Sequence, residues 1–207
     1  SEGNYEKINS MLKKTLSLLM CIGIPSIAGA CALSKEIVMI IGGENYLDAA
    51  LPLRNLMISF AFSLIGGSFL GNMVLLPSKN ENTYMWICCV TAVFNVVLNY
   101  ILIPHGGAKA AAFTTALSSL LIMALLLLKK DKRIKLDYVI RVSASPVIGS
   151  IALFMYCKVV GLFVSDLWVK TAVCIGGSVI LYGAILVGMK NDLCMEMLDE
   201  FKEKLKN

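Results

Sequence analysis

The sequence has few charged residues and a single histidine. Only 16% of its 207 residues are Asp, Glu, Lys or Arg, against about one quarter in typical soluble domains. His105 lies in a predicted turn, and the long apolar stretches contain no Asp or Glu in their interiors. Neither a carboxylate pair nor a histidine cluster can be assembled for acid–base chemistry. We therefore expect no enzyme activity and no cofactor.

The sequence also lacks an ordered cysteine pattern. It contains seven cysteines, an odd number, and none are spaced as CxxC. Such spacing is the usual signature of a structural metal site, and an even count is typical of a disulfide framework. We expect the cysteines to be small buried side chains, with no metal bound.

The chain is rich in long apolar stretches, and 57% of its residues are hydrophobic. Each stretch is close to the roughly 20 residues that a helix needs to cross a bilayer. The sequence therefore predicts an all-α integral membrane bundle of six transmembrane helices, preceded by a lead-in over 1–14 and followed by a charged tail over 190–207. The predicted spans are 15–33, 49–76, 84–103, 108–128, 142–164 and 167–189.

Two connectors give further structural predictions. Residues 34–41 are apolar but too short to span, so they form either an extension of the first helix or a short interfacial helix. Pro104 followed by His105, Gly106 and Gly107 predicts a tight turn. Spans three and four should therefore be antiparallel neighbours.

The basic residues are distributed unevenly between alternate connectors. The side that holds both termini receives 14 Lys and Arg, the other side receives 4, and Lys158 lies inside a span. Because cytoplasmic connectors carry the excess of positive charge, both termini are predicted to be cytoplasmic in the cell membrane. The net charge of +5 is spread among these connectors, so no nucleic-acid partner is expected.

Small and polar residues form rows inside the spans. We take Ser59, Ser63 and Asn72 in span two and Thr91, Asn95 and Asn99 in span three as candidates for a cavity or substrate path. An unpartnered amide in hydrocarbon costs several kcal/mol, so Asn95 should face either another helix or a hydrated cavity. Gly67 and Gly71 have GxxxG spacing, which predicts close helix packing.

Two cations lie near the predicted external ends of spans. These are Arg54 in span two and Lys158 in span five. They either extend to the membrane interface or face a cavity and attract an anionic group such as a phosphate. We include both among the candidate site residues.

The order of these features resembles that of polysaccharide and oligosaccharide flippases. Residues 40–49 resemble the connector after the first span, and Leu75-Leu76-Pro77 precedes a similar polar turn. The segment from Asn95 to Pro104, followed by Gly107 and the Ala-rich stretch 110–115, is similar to the family's Asn-to-Pro pattern. Lys109-Ala110 departs from it, where the family usually has an apolar residue and Gly.

The resemblance implies the C-terminal lobe of a two-lobe transporter that flips lipid-linked oligosaccharide by alternating access. Its partners would be membrane lipid, the lipid-linked saccharide and a missing N-terminal lobe. Within this superfamily, peptidoglycan-precursor flippases and multidrug extruders are alternatives, although the absence of buried carboxylates disfavours an extruder of cations. Outside it, the alternative is a non-transporting membrane subunit, a scaffold or a gene remnant.

Overall fold

The computed structural model describes residues 2–129 and 138–196, with side chains from residue 7 onward. Each regular element there is helical, so the predicted all-α class is confirmed. A 3₁₀ stretch, Glu44–Ala49, precedes α3, and α3 continues as a π-helix, Leu64–Leu75. The α-helices are α1 (Glu2–Ala32), α2 (Ser34–Gly42), α3 (Ala50–Ser63), α4 (Glu81–Lys129), α5 (Tyr138–Phe163) and α6 (Leu167–Gly188).

Five helical segments in the described residues are long and apolar enough to cross a membrane. They are Lys7–Ala32, Glu44–Leu75, Glu81–Lys129, Tyr138–Phe163 and Leu167–Gly188. The segment Glu81–Lys129 contains predicted spans three and four together. The other four segments correspond to predicted spans one, two, five and six.

Helix α4 folds back on itself at Gly107. This glycine has φ 52° and ψ −136°, outside the helical range, in a region where a side chain would be strained. Asn95 is hydrogen-bonded to Ser118, and Asn99 to Thr114. In both pairs the two residues are equally far from the turn, as in an antiparallel hairpin. The predicted hairpin of spans three and four is therefore confirmed, with arms 81–106 and 108–129.

The chain divides into two compact units. The terminal unit contains α1, α5, α6 and the residues that follow α6. The central unit contains α2, α3, the π-helix and α4. Apolar residues form the core of each unit, such as Leu16 and Leu153 in the terminal unit and Phe69 and Leu126 in the central unit.

Some boundaries differ from those in the sequence prediction. Helix α1 already begins at Glu2, so residues 2–14 of the predicted lead-in are helical. Leu33 interrupts the helix, and α2 is a short separate helix rather than an extension of α1. Parts of the predicted charged connector and tail, residues 130–137 and 197–207, lie outside the described residues.

Candidate functional site

A ring of hydrogen bonds joins the two arms of α4. The Thr114 hydroxyl donates to Asn99 Oδ1, and Asn99 Nδ2 donates to Asn95 Oδ1 over 2.9 Å. Asn95 Nδ2 donates to Ser118 Oγ over 3.0 Å, and Ser118 Oγ donates to the Thr114 carbonyl over 2.9 Å. The ring begins and ends at Thr114, whose side chain is fully buried.

This ring gives Asn95 a hydrogen-bond partner on the facing arm of the hairpin, Ser118. The side-chain oxygen of Asn95 accepts from Asn99 on the same arm, and its side-chain nitrogen donates to Ser118 on the other arm. An amide group has two N–H donors, and each of the two asparagines uses one of them in the ring. The second N–H of each half-buried asparagine takes no part in the ring.

A second polar contact joins α3 to the second arm of α4. Ser59 Oγ lies 2.8 Å from Ser119 Oγ, and Ser59 is buried. Further along, a Cβ on Gly66 would lie 2.9 Å from Met123 Cα. The π-helix therefore approaches the backbone of this arm closely at Gly66.

The two predicted packing glycines have different surroundings. A Cβ on Gly71 would lie 2.5 Å from Cε2 of the Tyr84 ring, which belongs to the first arm of α4. A Cβ on Gly67 would meet only Ser63 Oγ, at 3.6 Å on the same helix. Close approach to a neighbouring element thus occurs at Gly66 and Gly71.

Three other candidates lie apart from the ring. Asn72 is exposed, with its Oδ1 3.5 Å from the Tyr84 hydroxyl. Thr91 is buried, and its hydroxyl lies 2.9 Å from the Ile87 carbonyl of its own helix. Ser63 is half-buried, one turn before Gly67. The structure does not gather these three side chains into one site.

Arg54 connects α3 to the start of α2. Its Nε donates to Ser34 Oγ over 2.6 Å, and Ser34 is completely buried. A guanidinium has five N–H donors, and this bond uses one of them. Arg54 therefore has a structural contact in addition to the four N–H groups that could bind an anion.

Lys158 lies in the terminal unit, on an exposed face of α5. Its Nζ lies 5.4 Å from the centre of the Phe154 ring, within the range of a cation–π contact. Phe154 is one turn earlier in the helix, towards the predicted cytoplasmic side. The side chain thus points away from the predicted external interface.

A groove of about 330 Å³ runs between α3 and the second arm of α4. It is lined almost entirely by apolar side chains, and Asn55 is its one polar residue. Within residues 2–129 and 138–196, no group of three or more His, Cys, Asp or Glu is placed to hold a metal ion.

The sequence prediction missed two members of the ring, Thr114 and Ser118. The candidates taken from the sequence lie in spans two, three and five, and none lies in span four. The available signal was the hairpin register. Reflecting Asn95 and Asn99 through the turn at 106–107 places Ser118 and Thr114 opposite them.

A family model described as lipid II flippase MurJ matches residues 1–182. This chain belongs to that family. The MurJ family is part of the polysaccharide flippase superfamily, so the resemblance found in the sequence is confirmed. No curated protein and no solved structure gives a significant match.

Membership in the MurJ family places the chain in a class of multi-pass membrane proteins that flip lipid-linked substrates. The family consists of transporters rather than enzymes. The matched range includes the whole central unit with its hydrogen-bonded ring, and in the terminal unit it stops inside α6. Residues 183–196 therefore lie beyond the part of the chain that the family model matches.

Proposed function

We propose that this chain takes part in flipping a lipid-linked peptidoglycan precursor, of the lipid II type, across the cytoplasmic membrane. The observation that carries the proposal is the MurJ family match over residues 1–182. The family name favours the peptidoglycan precursor over the polysaccharide repeat unit that the sequence resemblance placed first.

The chemistry of the central unit supports a substrate that is both polar and lipid-like. Moving a polar headgroup through hydrocarbon is costly unless protein or water replaces its hydrogen bonds. The remaining N–H groups of Asn95 and Asn99 offer such partners, and the guanidinium of Arg54 offers a positive charge to a phosphate. The apolar groove beside Asn55 offers a surface to hydrocarbon.

We further propose that the chain acts as the C-terminal lobe of an alternating-access transporter, with both termini in the cytoplasm. Such transporters move two bundles against each other around a site near the middle of the membrane. The motif order supports the lobe assignment, since it resembles the C-terminal half of polysaccharide flippases. The excess of Lys and Arg on one side supports the orientation.

Flipping can be measured in membrane vesicles from cells that produce the protein and from cells depleted of it. A fluorescent lipid-linked peptidoglycan precursor is placed in the cytoplasmic leaflet, and its arrival in the other leaflet is followed with an impermeant reductant. We expect the rate to fall at least tenfold on depletion. An unchanged rate would contradict the proposal. A fall seen only with a polysaccharide-linked lipid would show that the substrate is the polysaccharide repeat unit instead.

The two cations can be tested in the same vesicles. We expect Arg54→Gln and Lys158→Gln to slow flipping several-fold, because each removes a charge that would attract the phosphate. Lys109→Gln is the control, since Lys109 is an exposed residue on the same predicted side. Equal rates in all three variants would rule out a role for Arg54 and Lys158 in substrate binding.

A further inference from the structure

The chain turns after α6. Lys190 has φ 50°, in the left-handed region. The Lys190 N–H donates to the Val187 carbonyl, and the Asn191 N–H donates to the Leu186 carbonyl, both over 3.0 Å. This pair of bonds is a Schellman motif, which ends a helix and satisfies two of its last carbonyl groups. Helical structure then resumes over residues 192–196.

Asn191 is buried where three segments meet. Its Nδ2 donates to Ser145 Oγ of α5 over 2.6 Å. Its Oδ1 accepts the N–H of Leu193 over 3.1 Å and lies 3.8 Å from Cys21 Sγ of α1. One side chain therefore caps the new helical turn and contacts both α1 and α5.

Apolar packing and ion pairs surround this amide. Leu193 packs with Cys21 and Leu186, and Tyr182 of α6 donates its hydroxyl proton to the Cys21 carbonyl over 2.8 Å. Two exposed ion pairs join α1 to the same segment. Lys13 Nζ lies 3.1 Å from Asp192 Oδ2, and Lys14 Nζ lies 2.5 Å from Glu196 Oε1.

We propose that residues 190–196 form a latch that fixes α1, α5 and α6 to one another, so that the terminal unit moves as a single body. The latch contacts α1 and α5 through Asn191 and α6 through Leu193, and both of these side chains are buried. Tyr182 adds a direct hydrogen bond from α6 to α1. The latch lies beyond residue 182, where the family match ends. Its role during transport rests on the proposed function, whereas its mechanical role does not.

Hydrogen exchange of the whole protein in lipid nanodiscs, without substrate, tests the latch independently of flipping. In Asn191→Ala we expect backbone amides over 10–21 of α1 and over 142–149 of α5 to exchange at least tenfold faster. Asn45→Ala, an exposed asparagine in the central unit, is the control. Faster exchange confined to residues 190–196 would overturn the proposal, because it would show a segment that caps only itself.

A charge reversal provides a second test if Asn191→Ala does not fold. We expect Lys13→Glu to raise exchange over 10–21 several-fold, since it places two carboxylates together. Adding Asp192→Lys should restore the original rate by re-forming the pair in reverse. Unchanged exchange in the single variant, or no recovery in the double variant, would contradict the latch.

Discussion

The α4 hairpin and the hairpin of α5 with α6 are both pairs of antiparallel apolar helices, but different contacts hold them together. The arms of α4 are joined by amides and hydroxyls, through the ring of Asn95, Asn99, Thr114 and Ser118. Helices α5 and α6 are joined by tyrosine rings on glycines, together with a hydrogen bond from the Tyr156 hydroxyl to the Val173 carbonyl and a contact of Cys157 Sγ with Ser178 Oγ. Tyr182 lies on Gly149, and Tyr156 lies on Gly177.

The two hairpins show two ways in which helices can associate in a membrane, where the hydrophobic effect does not drive helix pairing. In lipid, helix pairs are held by van der Waals packing and by hydrogen bonds. A tyrosine ring packed on a glycine of the neighbouring helix gives a large contact area, but the contact is possible only because the glycine has no Cβ. A ring of hydrogen bonds gives less area but favours one register, because Asn95 and Asn99 on one arm are bonded to Ser118 and Thr114 on the other. Steric changes should therefore damage the α5–α6 pair more than loss of a polar group damages α4.

The largest effect is expected from Gly177→Val. The new side chain would overlap the Tyr156 hydroxyl, and overpacking of this kind costs about 1–3 kcal/mol. Gly176→Val is a matched control, because nothing lies within 4 Å of a Cβ at the preceding position. The free energy of unfolding in mixed micelles measures both variants. Equal losses would show that Tyr156 does not rest on Gly177.

A smaller loss is expected from Asn99→Leu in the α4 hairpin. The change leaves Thr114 and Asn95 each without one partner, and interhelical hydrogen bonds in membranes contribute about 0.6 kcal/mol on average and at most about 1.7. We therefore expect a loss of about 1 kcal/mol in the same unfolding measurement, below that of Gly177→Val. The exposed Asn72→Leu serves as the control and should change little.

The double variant Asn95→Leu/Asn99→Leu sharpens this prediction. If the ring acts as a unit, the double variant should lose less stability than the sum of the losses in the two single variants. The reason is that the second change removes a group that the first has already left unpaired. Fully additive losses would mean that the two asparagines act independently.

The parts of this fold that follow from local sequence were predictable. The length of the apolar stretches predicts the spans, and Pro104 with Gly107 predicts the hairpin. Because a buried amide needs a hydrogen-bond partner, the sequence predicts that Asn95 faces either another helix or water. Each of these predictions depends on a property of a single segment.

The parts that depend on contacts between distant segments were not predictable. Gly66 and Gly67 are adjacent and identical in type, and only the position of Met123 shows which one packs. Lys79 and Lys190 both have positive φ, although lysine gives no signal for that conformation. The contacts of Asn191 to α1 and α5 likewise appear only once the helices are assembled.

The smallest effect is expected from Thr91→Val. Thr91 belongs to the same row as Asn95 and Asn99 but takes no part in the ring. The Thr91 hydroxyl lies 2.9 Å from the Ile87 carbonyl and 3.0 Å from the Cys88 carbonyl, both in its own helix. Valine keeps the β-branched shape and loses only this local bond, so the free energy of unfolding should change by less than about 0.5 kcal/mol. We expect flipping in vesicles to stay unchanged as well. A large fall in flipping with normal stability would mean instead that the hydroxyl meets the substrate, which would extend the candidate site one turn beyond Asn95.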